Sequence, residues 1–123
     1  MAKKKTNIDG NQLCDLVVKG MQDKKAESIA VIDLKNIKNA VADYFIICSG
    51  TSDTHANSIA DTVEDEVFKG TAQWPWHTEG KANREWILID YVDVVVHVFI
   101  KEKRQFYGLE ELWGDAEIKR FEN

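Results

Sequence analysis

The stretch Trp86-Ile-Leu-Ile-Asp-Tyr-Val-Asp-Val-Val-Val-His-Val-Phe-Ile100 decides the fold. β-Branched and aromatic residues dominate it and Val92-Asp93 interrupts it, so it predicts two strands, 85–91 and 94–100, joined as a hairpin. Upstream, Ser28-Ile-Ala-Val-Ile-Asp33 and Tyr44-Phe-Ile-Ile-Cys-Ser49 place apolar residues at successive positions, as strands covered on both faces do. Ala56, Ile59, Ala60, Val63 and Val67 then recur at helical spacing, with Ser52 as the N-cap, Asp53 at the positive end of the helix dipole and Gly70 to close the C-terminus. Leu13, Leu16, Val17 and Met21 predict an earlier amphipathic helix over 11–23, capped by Asp9 or Asn11. Residues 70–84, with Trp74-Pro75-Trp76 and Glu79-Gly80, read as a loop. Phe106, Leu109 and Trp113 predict a last helix from about 101, running through Gly108.

The order is therefore α-β-β-α-β-β-α in one domain of the α/β class. A crossover through residues 53–85 demands parallel pairing or a separated position, while adjacent strands pair antiparallel, so a mixed sheet with helices packed on it is expected. This order resembles the nucleotidyltransferase fold. The division expected along the chain is a flexible basic tail at 1–7, one domain at 8–116, and a tail at 117–123 with little to bury.

A chain of 123 residues suits one core, and 44% hydrophobic composition with a single Pro excludes disordered and collagen-like classes. Sixteen Lys and Arg stand against 21 Asp and Glu, a net charge of −5. Setting aside Lys3, Lys4 and Lys5 leaves 13 positive side chains against the same 21 acids. Such a surface repels nucleic-acid backbones and favours basic partners. Cys14 and Cys48 lie in apolar runs without disulfide spacing, and no segment has signal-peptide or membrane-spanning character, so a cytoplasmic protein with no membrane partner is expected.

Chemistry finds few footholds. The small-residue loop Ser49-Gly50-Thr51-Ser52 before a helix offers backbone N–H groups to a phosphate, the basis of an alternative reading as a small nucleotide-binding or nucleotidyl-transferring enzyme. That chemistry needs two carboxylates one residue apart on a strand to hold Mg²⁺, and the predicted strands carry no such pair. His55, His77, His97 and the cysteines show no metal-ligand spacing, so neither a metal nor another cofactor is expected. His97 reads as a satisfied, semi-buried histidine. What remains is a surface of aromatics interleaved with acids: Trp86, Asp90, Tyr91 and Asp93 on the hairpin, and Tyr107, Glu110, Glu111 and Trp113 on the last helix. Such a mixture suits a basic protein partner. In the competing reading, Trp86 and Trp113 are core and the acids solvate its edges.

Asp43-Tyr-Phe-Ile-Ile-Cys-Ser-Gly-Thr-Ser52 with His55 and Ile59-Ala-Asp61, then Glu79-Gly80, Trp86 to Phe99, and Arg104-Gln-Phe-Tyr-Gly-Leu-Glu-Glu-Leu-Trp-Gly-Asp-Ala116 together resemble the ribosomal silencing factor, or Iojap-like, family. The resemblance implies a nucleotidyltransferase-like fold without catalytic carboxylates, and hence no enzyme. It also implies a translational repressor that binds the large ribosomal subunit through ribosomal protein L-fourteen, blocks joining of the small subunit and damps translation when nutrients are short. Carried over residue by residue, the family's interface falls on Trp86, Asp90 and Asp93, and also on Tyr91, Glu79, Tyr107 and Glu110, with little direct RNA contact expected. Val92 stands where the family commonly has Gly, and a β-branched residue resists φ > 0, which predicts an altered turn and a displaced Asp93. Trp74, Trp76 and the hairpin edges favour weak self-association of the free protein.

Overall fold

The computed structural model describes residues 10–121. The basic segment at 1–7 and the capping candidate Asp9 lie outside the described residues. Six strands form one mixed sheet in the order β3-β4-β5-β2-β1-β6. They are β1 (Glu27–Asp33), β2 (Tyr44–Gly50), β3 (His77–Glu79), β4 (Trp86–Asp90), β5 (Val94–Ile100) and β6 (Glu117–Phe121). The described residues also form four helices: α1 (Gly10–Asp23), α2 (Asp53–Thr71), α3 (Lys101–Tyr107) and α4 (Leu109–Leu112).

β2 is buried along its whole length because it lies in the middle, antiparallel to β1 and parallel to β5. The parallel pair is the crossover product expected of the intervening α2, and every other pair is antiparallel. Alternation assigns each strand residue to a face. Ile29, Val31, Ile46, Cys48, Ile87, Ile89, Val94, Val96 and Val98 meet α1 and α2, whose inward stripes are Leu13, Cys14, Val17, Met21 and Ala56, Ile59, Ala60, Val63, Val67. Ile32, Phe45, Ile47, Val95 and Phe99 face the other way, under Leu34, Ala42 and partly buried residues of α4 and the segment after it.

Ser52 accepts the backbone N–H of His55 in its capping role, as expected. The far end of α2 closes differently: Ala72, at φ 60, is the left-handed cap, while Gly70 is still helical. Three other expectations are corrected. Residues 117–121 are not a tail but the edge strand β6, paired with β1. Their charges face solvent, and Ile118 and Phe121 reach the two cores from opposite faces. Part of the expected loop at 70–84 is the short strand β3. The last helix is two, because Gly108 adopts φ 62 and stops α3. No helix among the described residues is long and apolar enough to cross a membrane.

α1 crosses α2 at Gly20, where a Cβ would sit 2.9 Å from Val63 Cα. The obstacle is backbone and cannot rotate away. Gly20→Ala gains about 1 kcal/mol of helix propensity and incurs overpacking of about 1–3 kcal/mol. The net expectation is a loss of up to about 2 kcal/mol, a drop in thermal midpoint of up to roughly 8 °C read by circular dichroism; a higher midpoint would show that the helices part freely.

Candidate partner-binding face

Register places the chemistry. Opposed residues of antiparallel strands share a face, so His77, Asp90 and Val95 form one row across β3, β4 and β5. Glu79, Leu88 and His97 form the next, and Trp86 with Phe99 the third. Along β4 the period of two buries Ile87 and Ile89 beneath the long helices and turns Trp86, Leu88 and Asp90 to the opposite side, each only half-buried. Trp86 and Asp90 are therefore about 13 Å apart on one face. The loop after β1 and the short helices cover the β1, β2 and β5 side of that face and leave its β3–β4 side open.

Trp86 is neither core nor loose surface. Its ring centroid lies 4.5 Å from Tyr107, 5.0 Å from Phe99 and 5.8 Å from His97. Its indole Nε1–H donates to His97 Nδ1 at 3.0 Å. An indole nitrogen only donates, so His97 Nδ1 is unprotonated and the ring proton sits on Nε2. Nε2 is buried without a partner among the described residues, so the histidine is satisfied at one nitrogen only. Burial lowers its pKa to about 3. The face therefore rests on a neutral imidazole, which also packs on Phe45 at 4.6 Å.

At the other end, Asp90 Oδ1 accepts the backbone N–H of Val92 at 2.7 Å. The Asp93 N–H donates to Tyr91 O, and Asp93 O accepts from the N–H groups of Asp43 and Tyr44. Held this way, Val92 takes φ 78. The β-branched residue resists positive φ, and the hydrogen bonds around it impose the conformation at a strain of about 1–2 kcal/mol. Asp93 is exposed beside it.

The remaining predicted residues divide. Tyr107 flanks Trp86, and Glu79 shares the open face with its carboxylate 2.6 Å from His77 Nε2. Tyr91 is placed elsewhere: one residue out of phase with Asp90, it enters the helix-side core. Its hydroxyl is buried without a partner among the described residues, and burial, aided by the charge of Glu64, pushes its pKa up. Glu110 is tied into a separate network. Its oxygens take Arg104 Nε at 3.0 Å and Nη2 at 3.1 Å, and Arg120 Nη1 at 3.0 Å. Burial raises its pKa, but these charged bonds outweigh that and hold it below the usual carboxylate value. Arg104 Nη1 also reaches Ser28 O and Ser49 Oγ, so the cluster fastens α3 and α4 to the sheet. Sequence reasoning missed Leu88 and His77, whose common face follows from the pairing of β3 with β4, and Trp76, which joins Asp90 and Val95 in the lining of one cleft just before β3.

The small-residue loop is occupied by its own chain. The Thr51 N–H donates to His55 Nδ1 at 2.9 Å, and Ser52 Oγ accepts the His55 N–H. His55 Nε2 lies 2.7 Å from Lys24 O, while Gly50 of β2 is paired with Ile100 of β5. These groups tie β2, α2 and the turn after α1 together and have little left for a phosphate. Cys48 is buried, which pushes its thiol up to about 12. Among the described residues no group of three or more His, Cys, Asp or Glu is arranged to hold a metal.

Residues 7–123 match the family model described as "Ribosomal silencing factor during starvation". A ribosomal silencing factor of Bacillus subtilis is 45% identical over 96 residues, 78% of this chain and 80% of that protein. The mouse protein named "Mitochondrial assembly of ribosomal large subunit protein 1" is 30% identical over 101 residues, 80% of this chain and 44% of that longer protein. A crystal structure of a Chromobacterium violaceum protein superposes with a TM-score of 0.81 at 26% identity, covering 87% of this chain and 88% of the other.

The buried neutral His97 makes stability pH-dependent with a definite sign. An unfolded chain protonates this histidine below its ordinary value of 6.5, whereas the folded protein does not until about pH 3. Stability is therefore lost as pH falls between those values, by about 1.4 kcal/mol per pH unit from this group. The expected result is that the difference in unfolding free energy between wild type and His97→Phe changes by that slope from pH 6.5 to 4.5 in urea titrations. Carboxylates common to both proteins cancel in the difference, so parallel curves would refute the assignment.

Proposed function

Because the chain belongs to the ribosomal silencing factor family, whose role is to silence translation, we propose that it binds the large ribosomal subunit through ribosomal protein L-fourteen, using the open face of β3 and β4. Bound there, it occupies the side on which the small subunit docks and prevents joining by steric exclusion, lowering translation when nutrients are short. No bond need be made or broken.

The observation that carries this reading is the row Trp86, Leu88, Asp90 on one uncovered face, with Tyr107 and Glu79 beside it. An aromatic anchor pinned in place and rimmed by carboxylates suits a basic protein surface. The net charge of −5 points the same way, since it disfavours the RNA that surrounds any ribosomal protein. The name of the mouse relative also associates that protein with the large subunit.

Sedimentation with separated subunits tests the reading. The wild type is expected to travel with free large subunits and to be excluded from intact ribosomes. Trp86→Glu is expected to weaken binding by about 30-fold or more. Circular dichroism of Trp86→Glu distinguishes loss of binding from loss of fold. In association kinetics, added salt should slow the wild type more than a variant carrying Asp90→Asn and Asp93→Asn. Full co-sedimentation of a folded Trp86→Glu protein would refute the assigned face, and equal salt responses would remove its electrostatic component.

A further inference from the structure

At the Asp90 end of the open face lies a cleft of about 290 Å³ lined by Val41, Trp76, Asp90, Val92 and Val95. Three of its walls are unusually exposed for their type: Val41 at 78%, Trp76 at 76% and Val92 at 58%. Asp90 gives Oδ1 to the Val92 N–H and has no ion-pair partner among the described residues, which leaves its other oxygen available. Asp93 and Asp43, joined by a backbone bond of 2.8 Å, lie next in sequence to or near Val92 and Val41, likewise without an ion-pair partner among the described residues.

We propose that this cleft is a subsite for one arginine side chain of the macromolecular partner, an inference that rests on the proposed function and specifies how its face selects that partner. The chemistry of the walls decides the occupant. A wholly apolar side chain would bury the Asp90 carboxylate without compensation, a loss of charge solvation that apolar contacts of this size do not offset. A long cationic side chain satisfies both requirements: its methylenes lie along the valines and its head reaches the carboxylate. Arginine fits better than lysine because its planar guanidinium stacks on an indole face and pairs with a carboxylate in directed hydrogen bonds. The strained turn has a role in this arrangement, since it brings the Val92 side chain and the Asp90 carboxylate to the same opening.

Two measurements test the subsite, and failure of either overturns it. In the first, N-acetyl-arginine-N-methylamide is titrated into the full chain and followed by NMR at the Trp76 indole and the Val41 and Val92 methyls, with the lysine and norleucine analogues in parallel. Saturable shifts for arginine are expected, smaller for lysine, absent for norleucine and lost in Asp90→Asn. A norleucine or lysine response equal to that of arginine, or no response, overturns the subsite. In the second, Trp76→Ala is expected to lower affinity for large subunits about tenfold. Because both side chains would hold one occupant, Trp76→Ala combined with Asp90→Asn should lose less than the product of the single losses. Multiplicative losses, or wild-type affinity in Trp76→Ala while Trp86→Glu fails to bind, overturn the subsite and leave the proposed function standing. If the wild type itself does not bind large subunits, the proposed function falls and the arginine titration alone decides the cleft.

Discussion

The parallel ladder between β2 and β5, running from Tyr44 opposite Val94 to Gly50 opposite Ile100, governs where everything else can go. Parallel neighbours need a crossover, and α2 provides it on one side of the sheet, with α1 packed against it close enough that only Gly20 fits at the crossing. That side then buries a continuous core. The rest of the chain supplies a loop, a seven-residue helix and a four-residue helix to the other side, too little to cover β4 and β3 beyond the contact of Tyr107 with Trp86. The half-buried row of Trp86, Leu88 and Asp90 is thus a consequence of how the crossover distributes the helices.

Within that row, geometry and protonation work together. Trp86 is held by three rings and by one hydrogen bond to a histidine that burial keeps neutral. A side chain already fixed in one rotamer loses little entropy when a partner covers it, which is the main benefit of a preorganised contact. The carboxylates at the rim act over longer range, favouring approach of a basic surface before contact is made.

Much of this was legible in the chain itself, and the failures have physical causes. α1 and α2 announce themselves by apolar period because each buries one face, and β1, β2, β4 and β5 by their dense apolar runs. β6 does not: Glu117, Lys119 and Arg120 face solvent on an edge strand, where two apolar residues suffice for docking. β3 is three residues long and exists only by pairing with β4. Gly108 reads as a residue inside one last helix, because the apolar spacing of Phe106, Leu109 and Trp113 continues across it and its left-handed backbone, which stops α3, leaves no mark on that spacing. In the site, Trp86 and Asp90 share a face by the strand period, and the same period sends Tyr91 to the core. Glu110 looks like one more surface acid because Arg104 and Arg120, six and ten residues away, meet it only after folding.

Strand β6 also sets an order on the making of the protein. It is synthesised roughly eighty residues after β1, yet it is the strand that covers β1's outer edge. A ribosome that stalls or terminates after α4 would release a chain with that edge of β1 unpaired, a ready template for strand addition by other chains. The integrity of the last few paired residues is therefore a matter of solubility for incomplete products, and a protein that silences translation is itself exposed to the consequences of translation that stops early.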